Sequence, residues 1–121
     1  MAKINSRQKG AAGEREARDF WVERGHRANR GRQYSGSPDS PDIIVHTLPA
    51  FHFEVKRVQN LNLADAIAQA QQDAGDKIPL VMHRKNSGEW MITMSADMFA
   101  KAFAPMFTVH DLVSKRLKDE E

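Results

Sequence analysis

The sequence predicts an α/β fold, with a central mixed β-sheet of about four or five strands flanked by helices, and three observations carry it. Helical spacing of apolar residues opens the chain over 6–25. Two short runs, Ile43-Ile44-Val45 and the alternating Phe51-His52-Phe53-Glu54-Val55, stand on either side of a turn. An alanine-rich helical stretch over 61–75 then leads to an apolar run at 78–82. The order is helix, strands, helix, strands, helices, in one domain spanning 1–121.

In the first helix Ser6 is placed to cap the start and Gly25 to stop the end. Ala17, Phe20, Trp21 and Arg24 share one face. Gly10 and Gly13 each cost a helix about 1 kcal/mol relative to alanine, so they are read as serving close approach to another backbone. Residues 26–34 are arginine-rich, and Arg30-Gly31-Arg32 with Tyr34 reads as a strand or arm. Ser35 to Ser40 is a loop. The second helix, Leu61 to Gly75, has Leu63, Ile67, Ala70 and Ala74 as its apolar stripe. Ile78 to Met82 is a strand, Lys85-Asn86-Ser87-Gly88 a hairpin turn, and Glu89 to Met94 its partner. Ser95 starts a short helix that Pro105 ends, and Thr108 with Asp111 resembles a capping box for a last helix to about Lys118.

Cysteine is absent, which excludes disulfides and thiolate zinc sites and fits a reducing compartment. The five histidines show no tight metal-ligand spacing. No signal-type or membrane-spanning run is present, so a cytoplasmic protein without a membrane partner is expected. The net charge is +2, but nine lysines and arginines precede Ser35 against four carboxylates, a balance of +5. That third of the chain is either a polyanion-binding face or a solvated one.

The chemistry gathers between Pro41 and Lys56. If residues 47–49 form a three-residue loop, His46 pairs with Ala50 and Asp42 falls opposite Glu54. Opposed Cβ atoms lie about 5 Å apart, so two carboxylates converge, with Lys56 on the face of Glu54. Such a pair either shares a proton or holds a cation. A hard ion such as Mg²⁺ suits it, because two carboxylates and water suffice. An ordinary solvated Glu–Lys pair is the other reading of these residues. His52 shares the face of Glu54 and is read as peripheral.

Pro41-Asp42 followed by Glu54-Val55-Lys56 resembles the PD-(D/E)XK nuclease superfamily. The closer likeness is to Holliday junction resolvases of archaeal type and their phage-borne relatives. It includes Lys9-Gly10, Gly13-Glu14-Arg15-Glu16, Tyr34-Ser35-Gly36, Glu54-Val55-Lys56-Arg57, Gln69-Ala70, Asp73-Ala74-Gly75 and Ile78 to Arg84. The resemblance implies a restriction-endonuclease-like core and a Mg²⁺-dependent endodeoxyribonuclease, with Mn²⁺ as a substitute. Asp42, Glu54 and the Val55 carbonyl would hold the ion, Lys56 the attacking water, and Glu14 would add a third carboxylate. Gln69, with Gln71 as fallback, would steady the water or phosphate. Arg7, Lys9, Arg30, Arg32, Ser35, Arg57 and Arg84 would meet DNA, a four-way junction being the implied substrate and a homodimer the implied assembly. A same-fold nuclease for flaps, nicks or duplex DNA, or a DNA-binding module without turnover, are the alternatives.

Overall fold

Helix α1 (Ser6–Glu23) is followed by strands β1 (Ala28–Arg30), β2 (Ile43–Val45) and β3 (Phe51–Arg57). Helix α2 (Leu63–Asp73), strands β4 (Ile78–Arg84) and β5 (Met91–Thr93), and helix α3 (Ala96–Asp119) complete the chain. The computed structural model describes residues 6–31 and 40–119. The strands form one mixed sheet in the order β1-β2-β3-β4-β5. Only β3 and β4 run parallel, the other neighbours being antiparallel, and α2 makes the crossover between those two. The expected α/β architecture is the one observed.

Alternation along the strands sends side chains to two faces, and each face has its own helix. On one, Ala17 of α1 packs with Ile43, Val45, Phe53, Val55, Leu80 and Met82, while Phe20 and Trp21 close the edge. Trp21 meets Phe53 edge-to-face at 5.8 Å and donates its indole N–H to Met82 Sδ at 3.3 Å. On the other face, Ala66 and Ala70 of α2 pack on Val81, with Leu61, Leu63 and Ile67 around them. Glu54 lies level with Val81 in the β3–β4 ladder, so His52, Glu54 and Lys56 belong to the α2 face. No described helix is long and apolar enough to cross a membrane.

Helix ends follow local chemistry. Gly25, at φ +87°, terminates α1, with its own amide bonded to the Val22 carbonyl and the His26 amide to that of Trp21. Those two bonds close the pattern that a left-handed glycine completes. Helix α2 starts two residues later than expected, because Asn62 caps it by accepting from the Asp65 amide at 3.2 Å. Ser95 caps α3, its Oγ accepting from the Met98 amide at 3.1 Å.

Three further expectations are corrected. Pro105 does not end a helix, because α3 runs from Ala96 to Asp119 without a second start at Thr108. A proline removes one intrahelical bond and crowds one carbonyl, and a helix of this length keeps bonds on both sides of it. Strand β5 is confined to Met91–Thr93, leaving Glu89 and Trp90 as irregular chain between the turn and the strand, and Met94 beyond it. The β2–β3 connection has five residues rather than three. Two successive turns, with Leu48 N–H bonded to the Val45 carbonyl and Phe51 N–H to the Leu48 carbonyl, absorb the difference. His46 therefore gives its amide to the Arg27 carbonyl beside β1 instead of pairing with Ala50. The register survives all the same, because Ile43 pairs with Phe53.

Of the two helix glycines, Gly13 meets its expected close approach, a Cβ there falling 3.1 Å from Cβ of Arg57. A Cβ at Gly10 meets nothing within 4 Å. Gly31 matters more. Its amide donates to the Asp42 carbonyl at 2.8 Å, and a Cβ at this position would fall onto the carbonyl oxygen of Pro41. We expect Gly31→Ala to cost about 1–3 kcal/mol, the range for forced overpacking, in urea unfolding monitored by circular dichroism. A wild-type midpoint would mean that β1 does not grip the Asp42 segment.

Candidate active site

Among the described residues, β2 and β3 meet at a single Cα pair, Ile43 with Phe53. Glu54 to Arg57 thus run on past β2 while β4 remains paired along their other side. The backbone exposed by that early parting needs partners. Asp42 supplies one, its Oδ2 accepting from the Val55 amide at 2.8 Å. Its own amide donates to the Phe53 carbonyl at 2.9 Å, and its carbonyl accepts from Gly31. Asp42 is therefore held through amide, carbonyl and side chain.

Glu54 is 4% exposed and Glu14 9%, so the site gathers two buried acids around Asp42. Asp42 and Glu54 are within side-chain hydrogen-bond reach of each other. Burial pushes the Asp42 carboxyl up from 3.8 to about 7, the Glu54 charge adding to this and the Val55 N–H opposing it. Burial also raises Glu14, against the pull of the Arg30 guanidinium 3.3 Å from its Oε2. With burial raising Asp42 and Glu14 beside the Glu54 side chain, the site has a deficit of positive charge.

Glu54 has a second partner. His52 Nε2 stands 2.9 Å from Glu54 Oε1, and His52 is only 1% exposed. Sequence reading placed His52 on the right face but not in this bond. The alternation His52-Glu54-Lys56 was the available signal, and burial was the missing one. Lys56 is half-buried and lies level with His83 of β4. Burial holds the His83 imidazole below 6.5, so at neutral pH it adds no charge beside the ammonium.

The candidate DNA-contacting residues divide. Arg30 is bound to Glu14. Arg57 and Arg84, level with each other at the ends of β3 and β4, both converge on Glu16 Oε2, with Nε of Arg57 at 2.9 Å and Nη2 of Arg84 at 3.2 Å. Neither contact is aligned as a hydrogen bond, so Glu16 acts there as a charge between two guanidiniums. Arg84 is further tied to the Gly88 carbonyl at 3.1 Å. Arg7 and Lys9 fall in the first turns of α1, while Arg32 and Ser35 lie outside the described residues. Gln69 and Gln71 are both exposed on α2, off its packed Ala66–Ala70 stripe.

The donor set fits a divalent ion only in part. Among the described residues, no three His, Asp or Glu side chains gather closely enough to enclose one. The Asp42–Glu54 pair instead suits a hard ion that takes one or two carboxylates and keeps most of its waters. Such an ion would offset both the burial and the Glu54 charge that raise Asp42.

No family model and no curated protein matches the chain. Among solved structures, the chain is similar to Hjc, a Holliday junction resolvase from the archaeal hyperthermophile Archaeoglobus fulgidus. That likeness has 23% identity, covers 65% of this chain and 70% of that one, and has a TM-score of 0.49.

Proposed function

We propose that the chain is a Mg²⁺-dependent endodeoxyribonuclease whose substrate is branched DNA, a four-way junction foremost. The observation that carries the reading is the meeting of Asp42 and Glu54 within side-chain hydrogen-bond reach, with Asp42 pushed up to about 7 by burial and by the Glu54 charge. Buried like charges at the open end of a sheet are costly, and a polar core network of that kind is expected where chemistry needs it. Asp42 and Glu54 would hold the ion, with the Val55 carbonyl as a further ligand. A divalent ion there supplies charge stabilisation for a phosphate under attack. Mn²⁺ would substitute for it.

The chain's own groups divide the remaining work. Lys56, on the Glu54 face of β3, would hold the attacking water or meet the charge building on the phosphate. Glu14, kept near Asp42 by α1 and neutralised in part by Arg30, adds negative charge without blocking the pair. Gln69 is the group proposed to reach the water or phosphate from α2. The choice of junction DNA rests on the order of motifs shared with the resolvases. Two symmetric nicks call for two sites, hence a homodimer.

The test is cleavage of a synthetic four-way junction beside a linear duplex of matched sequence, with and without Mg²⁺. Junction cutting that needs Mg²⁺ is the expected result. Equal cutting of both substrates would move the reading to a general duplex nuclease, and tight binding without cleavage would make the chain a binding module. Binding itself should weaken steeply with salt. Replacing Arg7 and Lys9 together by glutamine should reduce the log–log salt slope by about two, since each side chain neutralises one phosphate. An unchanged slope in filter binding would assign those two side chains to solvent.

A further inference from the structure

We infer that His52 is a positioning residue that restricts Glu54 to one free oxygen and thereby sets the site's preference for a small divalent ion over a large one. The inference rests on the reading of Asp42 and Glu54 as a cation pair. His52 and Glu54 stand two apart on β3, with side chains 2% and 6% exposed and Nε2 2.9 Å from Oε1. With its proton on Nε2, the imidazole of His52 donates and Glu54 Oε1 accepts.

Asp42 is arranged in the same way. Its Oδ2 is taken by the Val55 amide at 2.8 Å. Each acid therefore has one oxygen tied to β3 itself, and the two side chains meet within hydrogen-bond reach of each other, where an ion would part them. Both ties come from residues whose places are fixed by the ladder to β4, where His52 is level with Pro79 and Val55 with Met82. Two single oxygens in place of two chelating carboxylates favour an ion that binds at about 2.0–2.1 Å and retains water. A larger ion such as Ca²⁺ takes six to eight oxygens at about 2.3–2.6 Å and gains from bidentate carboxylates. The His52 bond withholds that second oxygen.

Removing the bond has two opposite consequences, which a merely structural role would not produce. Glu54 loses its fixed rotamer, and groups that orient a metal ligand are typically worth about 10–100-fold in affinity. At the same time Oε1 is released for chelation. His52→Leu should therefore weaken Mg²⁺ by about tenfold or more and leave Ca²⁺ equal or tighter. His52→Gln, which retains an N–H donor at similar reach, should keep the wild-type ratio within about threefold.

The experiment is calorimetric titration of the full chain, without DNA, with Mg²⁺ and separately with Ca²⁺. Wild type, His52→Leu, His52→Gln and Asp42→Asn are compared, each first checked by thermal melting. Where His52→Leu does not fold, His52→Met withdraws the donor with a longer, more adaptable side chain. A Mg²⁺-to-Ca²⁺ ratio that falls tenfold in the donor-less variant and persists in His52→Gln supports the inference. The ratio staying at its wild-type value in the donor-less variant, while Asp42→Asn loses Mg²⁺, overturns it and leaves the cation pair standing. A wild type that binds neither ion overturns both.

Discussion

Glu54→Gln is expected to slow cleavage of a four-way junction by about 10³-fold or more while leaving junction binding within a few-fold of wild type. A bound divalent ion contributes several kcal/mol to a phosphoryl transition state, and each 1.36 kcal/mol is tenfold in rate. The substitution withdraws one of the two carboxylates that hold the ion, yet keeps size and shape. The His52 bond to Oε1 also survives, since an amide oxygen accepts from Nε2 as a carboxylate does. Binding is spared or slightly tightened, because a negative charge facing phosphate has been removed. Lys56→Ala should show the same separation of cutting from binding. Gel assays for cleavage and fluorescence anisotropy for binding read the two separately. A variant at Glu54 that cuts near the wild-type rate removes this residue from the chemistry.

Asp42→Asn is expected to stabilise the ion-free protein at pH 8 and to lose that advantage near pH 4. In the fold, Asp42 titrates at about 7 instead of 3.8, from burial first and the Glu54 charge second. Between those two values the unfolded chain has released a proton that the folded chain retains. Stability therefore falls as pH rises across the window and stays low above it. A shift from 3.8 to about 7 sets a ceiling of about 4 kcal/mol at 1.36 kcal/mol per unit. The amide keeps the acceptor for Val55 N–H, so the gain is not cancelled by a broken bond. Urea unfolding with a chelator present, at pH 4 and pH 8, checks it. A variant no more stable than wild type at pH 8 would show that Asp42 carries no such penalty.

Much of this site is legible in the sequence, and the reasons are local. The period of two along Phe51 to Lys56 separates Glu54 and Lys56 from Phe53 and Val55, and burial of those apolar residues fixes which face is which. The partnering of Asp42 with Glu54 came from a three-residue loop that does not exist. Two consecutive turns over 46–50 give the same register, so a wrong turn led to the right opposition. Pro105 misled because a proline marks a helix end only when the flanking bonds fail to carry the helix through. Other features had no local signal. His52 bonded to Glu54, Glu16 between Arg57 and Arg84, and Gly31 beneath Pro41 depend on contacts between elements. Spacing in sequence does not encode such contacts.

Ion-linked stability tests the central claim, that Asp42 and Glu54 converge to hold a divalent ion. The measurement is the melting temperature at pH 8 across a Mg²⁺ titration, for wild type and for Asp42→Asn. An ion that binds only the folded state stabilises it by about 2.7 kcal/mol at a concentration a hundredfold above its Kd. The wild-type melting temperature is expected to climb with log Mg²⁺ while that of Asp42→Asn stays flat. Parallel curves for the two proteins, or a flat one for the wild type, would contradict it.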